Sequence, residues 1–242
     1  MVEQILAATG LTDGDRIVEI GPGPGALTDR LLAAGAEVIA FEVDRDLAAA
    51  LENRNAANLS VQLGDVLKAN WPALLAEPPY KLVANLPYNI SSQVLFKILD
   101  HRALFGRLVL MFQKEVGDRL LAAPATRDYG ILSVLVQNWY VVSRVVKVPP
   151  GCFFPPPRVE SVVLRFEPRP QPLAPVADEA AFRRLVKAVF AQRRKTLRNG
   201  LLGAGYEPAV VDRALAALAI APTCRGETLT IAQMAGLADK LG

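Results

Sequence analysis

Ile17-Val18-Glu19-Ile20-Gly21-Pro22-Gly23-Pro24-Gly25-Ala26-Leu27 is the stretch that decides the fold. The first four residues form a short, mostly β-branched apolar run, as a buried strand requires. Three glycines at alternate positions then end it. Glycine lets the backbone turn sharply and lets a ligand approach closely. Leu27, Leu31 and Leu32 follow at helical spacing. A strand, a glycine turn and a helix in that order predict the first unit of an α/β sheet, with a helix N-terminus that attracts negative charge.

The pattern repeats outward from this unit. Val38–Phe41 is a second strand, followed by Leu47, Ala50 and Leu51 on one helical face. Leu59–Leu63, Lys81–Ala84 and Leu108–Phe112 are three more strands. Strands alternating with helices imply a mostly parallel sheet covered on both faces. Residues 130–137 have helical spacing, while 138–147 and 159–166 are two strands with no long helix between them. The sheet is therefore expected to end in an antiparallel pair. Glu167–Val176 holds four prolines and has the composition of a linker. Beyond it Phe182, Leu185, Val186, Val189 and Phe190 trace an amphipathic helix, and helical stretches continue with breaks near 203–208 and 222–223. The fold class expected is α/β, with a ligand-binding domain at 1–168 and a small α-helical domain at 177–242.

Composition excludes much else. The chain has 242 residues, 52% hydrophobic and 21% charged, which suits a packed protein. Cys152 and Cys224 are the only cysteines and His101 the only histidine, so no disulfide framework, metal site or triad is expected. Nothing near Cys152 activates it as a nucleophile, and His101 follows a helix as a surface or helix-end residue. No apolar run reaches the length of a membrane span and no signal pattern opens the chain, so a cytoplasmic location is expected; a monomer is expected as a separate matter. The net charge of +3 is unevenly spread: residues 1–168 carry −2 and residues 169–242 carry +5. A polyanionic partner for the second part is one explanation; a solvated basic face is the other.

The carboxyl ends of the strands carry the candidate site. Gly21, Gly23 and Gly25 line the first turn. Glu42 ends the second strand 21 residues after Gly21, where a carboxylate can accept both hydroxyls of a ribose. Gly64-Asp65 ends the third strand, where Asp65 can bond an adenine amino group. Gly21-x-Gly23-x-x-Ala26 also fits a loose dinucleotide fingerprint, so NAD and S-adenosylmethionine both remain open here, against a tight turn with no ligand. Glu19, Glu42 and Asp65 together suit a cofactor with a cationic head better than one with a pyrophosphate.

Asn85-Leu86-Pro87-Tyr88 ends the fourth strand. An aromatic exocyclic amine is a weak nucleophile because its lone pair is delocalised into the ring. Acceptors on both sides of the nitrogen favour a pyramidal, more nucleophilic amine and stabilise the charge that develops on it. The Asn85 side-chain oxygen and the Leu86 carbonyl can be those acceptors. Pro87 stiffens the turn and Tyr88 offers a face for the base. An Asx-type turn with a half-buried tyrosine is the plain alternative.

The residues Glu19–Thr28 and Asn85–Ile90 resemble those of the ribosomal RNA adenine N6-dimethyltransferases. The likeness continues through Gln113–Val116, Tyr129-Gly130-x-Leu132-Ser133-Val134 and Phe153-x-Pro155-x-Pro157-x-Val159-x-Ser161, and ends with Phe190-x-Gln192-Arg193-Arg194-Lys195-Thr196-Leu197-Arg198-Asn199. The last motif resembles the housekeeping small-subunit branch rather than the macrolide-resistance branch. The resemblance implies a Rossmann-like class I methyltransferase domain plus a small helical domain, with S-adenosylmethionine held by Gly21, Glu42, Asp65 and Asn85. It implies that Asn85, Leu86 and Tyr88 hold the target adenine. It also implies a substrate of two adjacent adenosines in the terminal hairpin loop of 16S rRNA, each methylated twice, on precursor small subunits. The sequence starts 20 residues before Gly21, whereas family members carry a further stretch with a Gln-Asn-Phe-type motif and basic residues. A mis-assigned start, a truncated chain or a weakened variant would each account for that departure, which bears on cofactor affinity and full activity and not on the positions that match.

Phe153 and Phe154 lie in a proline-rich segment; Phe153 is expected to stack on the adenine face opposite Tyr88, the alternative being that both rings cover the sheet edge. Residues 182–201 hold Arg183, Arg184, Lys187, Arg193, Arg194, Lys195 and Arg198 with no acid. Arg183, Lys187, Arg194 and Arg198 are spaced four, seven and four apart, so one helical face can carry them and suits an RNA backbone, the alternative being an ordinary solvated helix face. Ala122–Asp128 has the composition of a mobile loop or a plain connector. Other outcomes weighed are a large-subunit methyltransferase, a non-catalytic ribosome-assembly or transcription factor that binds RNA, and a DNA or protein N-methyltransferase.

Overall fold

The computed structural model describes residues 1–153 and 158–242 of the chain. Phe154, Pro155 and Pro157 of the aromatic-proline motif lie outside the described residues. Seven strands form one sheet: β1 (Arg16–Ile20), β2 (Glu37–Glu42), β3 (Leu59–Leu63), β4 (Tyr80–Asn85), β5 (Phe105–Gln113), β6 (Tyr140–Val148) and β7 (Ser161–Pro168). Eleven α-helices accompany it: α1 (Val2–Thr9), α2 (Thr28–Ala33), α3 (Arg45–Glu52), α4 (Trp71–Leu74), α5 (Ser91–Asp100), α6 (Lys114–Leu121), α7 (Ile131–Gln137), α8 (Glu179–Ala191), α9 (Leu197–Gly203), α10 (Pro208–Ala217) and α11 (Ile231–Leu241).

The strand order is β3-β2-β1-β4-β5-β7-β6. β1 pairs parallel with β2 on one side and β4 on the other, so the order reverses at β1/β4. A ligand crevice opens where strand order reverses. β7 runs antiparallel to β5, with Gln113 opposite Ser161. The central strands are buried on both faces, which is why β1 and β4 are nearly continuous apolar runs. β3, at the edge, carries Ser60 and Gln62 and stays half exposed.

The chain forms two compact units. The first comprises Met1–Gly117 and Val142–Pro168, and the second Asp118–Val141 and Arg169–Gly242. In the first unit, alternate residues Ile17, Val38, Ala40, Val83, Val109, Met111 and Val163 line one sheet face and pack against Ile5 and Ala8 of α1 and Leu31 of α2. Buried Trp71 meets Phe105 and His101 edge-on, with the Lys97 ammonium 4.9 Å from its ring centroid. His101 caps the end of α5 there.

In the second unit, Phe182, Leu185 and Val186 of α8 are buried with Leu201, Val211, Leu215, Met234 and Leu237. Polar caps start four of its helices: Asp178, Thr196, Glu207 and Thr230 each accept a backbone N–H of the following turn. Two expectations are corrected here. Residues 118–141 cluster with the C-terminal helices, not with the first 168 residues. The proline-rich stretch is also no free linker: Arg169 N–H donates to the Trp139 carbonyl, Leu173 N–H to the Asn138 carbonyl, and Ala174 N–H to buried Asn138 Oδ1. These long-range bonds join the two sequence segments of the unit, as do those from Arg193 to the carbonyls of Arg127 and Tyr129.

Leu31 is fully buried between α2 and the sheet. Leu31→Ala is expected to cost ~2–5 kcal/mol, read as a lower urea midpoint; a loss under ~1 kcal/mol would mean that α2 does not pack as described.

Candidate active site

The first sheet unit gathers four strand ends. β1 runs into Gly21, Gly23 and Gly25, which all take left-handed backbone angles, with φ of 68°, 58° and 89°. Gly21 N–H donates to the Phe41 carbonyl at 3.0 Å, which folds the loop across the end of β2. Arg54 braces the loop from outside, donating to the Pro24 carbonyl and pairing with Asp29.

Glu42 is the centre of the arrangement. Its side chain is buried, yet three backbone amides satisfy it: Gly23 N–H at 3.1 Å, Val43 N–H at 2.8 Å and Asp44 N–H at 3.0 Å. A carboxyl group has about four acceptor positions, so the three amides leave capacity for one further donor. Gly64 N–H donates to the Glu42 carbonyl at 2.8 Å, bringing the end of β3 alongside. Asp65 is half buried, and its Oδ1 accepts from Leu67 N–H at 2.9 Å. Val43 is 70% exposed beside Glu42, an apolar surface at the end of β2 that the sequence did not single out.

Glu19 lies beneath the loop, only 2% exposed, and accepts from the Thr28 hydroxyl at 2.7 Å. Burial pushes its carboxyl up to about 7, with the charges of Asp29 and Glu42 adding to the effect. It is therefore a supporting group of the loop floor.

At the end of β4, Asn85 is exposed while Leu86 is buried, so the turn is anchored at its second residue. A Cβ built on Gly21 would stand 3.6 Å from the Asn85 carbonyl oxygen, so the glycine loop and the Asn85 turn are neighbours. Pro87 O accepts Ile90 N–H, and Tyr88 O accepts the Ser91 hydroxyl, closing the turn into α5. The Tyr88 hydroxyl bonds Ser161 Oγ at 2.7 Å. Ser161 is fully buried at the start of β7 and fixes one edge of the tyrosine ring. It closes the aromatic-proline motif, so its position was visible in the sequence, but its partner was not. Phe153 is half buried and packs on the apolar layer that includes Ile17, Val83 and Val148.

The basic residues fall in the second unit, and there the expected stripe is corrected. α8 stops at Ala191 and α9 starts at Leu197, so Arg183, Lys187, Arg194 and Arg198 do not share one helix. Gln192 leaves the helical conformation and ends α8, and extended Thr196 then caps α9. Arg198 forms a two-pronged pair with Asp212, at 2.6 and 2.9 Å. Arg193 is bonded to Glu227 and to two carbonyls. Arg183 is half buried, whereas Lys187, Arg194 and Lys195 are exposed.

The residues fit a nucleoside cofactor with a positive head. A Cβ on Gly23 or Gly64 would meet nothing within 4 Å, so the backbone leaves open space above the loop and beside Asp65. The side chains at the strand ends are carboxylates and an amide, a donor set for hydroxyls, amines and cations and a poor one for phosphates. Among the described residues no cluster of three or more His, Cys, Asp or Glu could hold a metal. Sheet order and site together define a Rossmann-like methyltransferase fold. The family of ribosomal RNA adenine dimethylases matches residues 1–240. Ribosomal RNA small subunit methyltransferase A of Syntrophotalea carbinolica is 57% identical over 99% of this chain and 90% of its own length. The protein of the same name from Geobacter sulfurreducens is 47% identical over the whole of this chain and 90% of its own length. Among solved structures, a dimethyladenosine transferase from Plasmodium falciparum superposes with a TM-score of 0.79 at 28% identity, covering 98% of this chain and 93% of that one. The 23S rRNA methyltransferase ErmE gives 0.70 at 25% identity, covering 99% and 96%. The chain belongs to the ribosomal RNA adenine dimethylase family.

The raised Glu19 pKa has a definite sign. Between the ordinary carboxylate value of 4.5 and about 7, the unfolded state loses its proton while the folded state keeps it. Stability should therefore fall as pH rises through that window, by up to ~1.4 kcal/mol per pH unit. Glu19→Gln should flatten this slope in denaturant titrations; an unchanged slope would contradict the assignment.

Proposed function

We propose that this chain transfers methyl groups from S-adenosylmethionine to the N6 amines of two adjacent adenosines in the 3′-terminal hairpin loop of 16S rRNA, giving dimethyladenosines on precursor small subunits. The observation that carries this is the placement of Asn85-Leu86-Pro87-Tyr88 beside the glycine loop, in a chain that belongs to the adenine dimethylase family. Small-subunit RNA is favoured over large-subunit RNA because relatives at 47–57% identity bear the small-subunit name, whereas ErmE stands at 25%.

Gly21, Gly23 and Gly25 let the backbone approach the cofactor; Glu42 takes a ribose hydroxyl, Asp65 the adenine amine and the Asn85 backbone the methionine end. Bound there, S-adenosylmethionine supplies a methyl group on a cationic sulfur. The Asn85 side-chain oxygen and the Leu86 carbonyl accept the two N6 hydrogens, holding the amine pyramidal with its lone pair free. Pro87 sets the direction of that turn. Tyr88, steadied by Ser161, stacks on one face of the base, and Phe153 covers the other. As positive charge develops on N6, the neutral oxygens stabilise it and the proton leaves to solvent, so no histidine is required. Positioning supplies most of the rate. In the helical unit, exposed Lys187, Arg194 and Lys195 lie where the RNA backbone docks, helped by Arg183; Arg198 serves Asp212 instead. The enzyme works as a cytoplasmic monomer, and no helix among the described residues is long and apolar enough to cross a membrane.

Labelled cofactor mixed with immature small subunits should yield dimethyladenosine on nucleoside analysis, and label on large-subunit RNA alone would overturn the assignment. Asn85→Ala should lower the single-turnover rate by about 10²-fold or more while cofactor affinity changes by only a few-fold. Equal losses in both would remove the proposed role. Ser161→Ala should cost less, about tenfold, because it removes the bond to Tyr88 and leaves the ring.

A further inference from the structure

The break between α8 and α9 contains an arginine whose bonding differs from that of its basic neighbours. Arg193 Nε donates to Glu227 Oε2 at 3.1 Å. Its Nη2 donates to the carbonyl oxygens of Arg127 at 2.8 Å and Tyr129 at 3.1 Å. The same loop is held again where Ala125 N–H donates to the Glu227 carbonyl at 2.8 Å. Behind it, buried Tyr129 packs edge-on against Phe190, with ring centroids 5.8 Å apart. Three stretches distant in sequence thus meet within the helical unit: residues 123–129, residues 190–195, and the short turn Gly226–Thr228.

A planar fork with several donors suits two carbonyls and a carboxylate at once; an ammonium offers only a point charge on a flexible stem. Arg127, Arg194 and Lys195 around this strut are all exposed, and none of their side chains has a hydrogen bond or ion pair among the described residues. Asp128, also exposed, is the one acid on the loop. The Arg193 charge is offset by Glu227.

We propose that Arg193 is a positioning residue that makes no RNA contact of its own. It holds the 123–129 loop beside the 192–195 turn, so that Arg127, Arg194 and Lys195 form a single basic rim for RNA phosphates. Arg127 thereby joins the RNA surface and Arg193 leaves it. The proposal rests on the RNA substrate assigned above, but the strut itself can be tested without RNA.

Two measurements on the full chain separate the roles. One is hydrogen exchange of the 123–129 amides; the other is the salt dependence of binding to a synthetic RNA hairpin. Arg127→Ala and Arg194→Ala should each flatten the slope of log affinity against log salt by about 0.7–0.9, the value of one lost phosphate contact. Exchange in 123–129 should stay near wild type in Arg194→Ala. Arg193→Gln should speed that exchange at least tenfold, and Arg193→Lys should fail to restore it although the charge is kept. The strut is overturned if Arg193→Gln flattens the salt slope while exchange stays at the wild-type rate. The rim is overturned if Arg127→Ala leaves the slope unchanged. Should the Arg193 variants not fold, Glu227→Gln removes the ion pair alone and should speed exchange in the same loop; no change there would also overturn the strut. A wild-type chain that ignores the hairpin would sink the RNA substrate and the rim, while exchange would still decide the strut.

Discussion

A buried carboxylate that accepts three backbone amides holds the strand ends of this protein together. Glu42 binds Gly23, Val43 and Asp44, and its own carbonyl receives Gly64. A buried carboxyl group without such partners would be strongly unfavourable, so the three amide bonds go with the burial of this side chain. They dictate where the glycine loop lies, how α3 begins and where Asp65 stands. The strand ends are therefore held in place by bonds within the protein itself.

Around that anchor the site is built in layers. Glu19 and Thr28 stiffen the loop floor, Arg54 braces its outer edge, and Ser161 secures Tyr88. None of these would touch a substrate in the proposed reaction; each restricts a group assigned there to cofactor or base, which matters for a reaction that works by positioning. The antiparallel β7 is what delivers Ser161 to Tyr88, so the reversed strand, set between β5 and β6, also secures the turn after β4.

The helical unit follows a different economy. Its cationic residues divide into those spent on the protein's own acids and carbonyls, such as Arg193 and Arg198, and those left to solvent, such as Lys187, Arg194 and Lys195. Charge alone cannot make this division, because a paired arginine and an exposed one look alike in sequence. The division follows from where the chain turns: α8 ends at Ala191 and α9 starts afresh after Thr196, so the residues beyond the break leave any common stripe.

The amino-acid order by itself determined the alternation of strands and helices, the glycine turn after β1, the acids at the ends of β2 and β3 and the Asn85–Tyr88 turn. All of these are local: hydrophobic period, glycine conformation and strand termini are set within a few residues. Only the tertiary structure decided that residues 118–141 join the C-terminal helices, that the proline-rich stretch is stitched down by residues 137–139, and that Tyr88 meets Ser161. It alone showed the basic stripe to be broken and Arg193 to be committed. The break in the stripe is a local turn that composition does not reveal; the rest are bonds between residues some 30 to 70 positions apart, and no periodicity or spacing records which partners the folded chain brings within hydrogen-bonding distance.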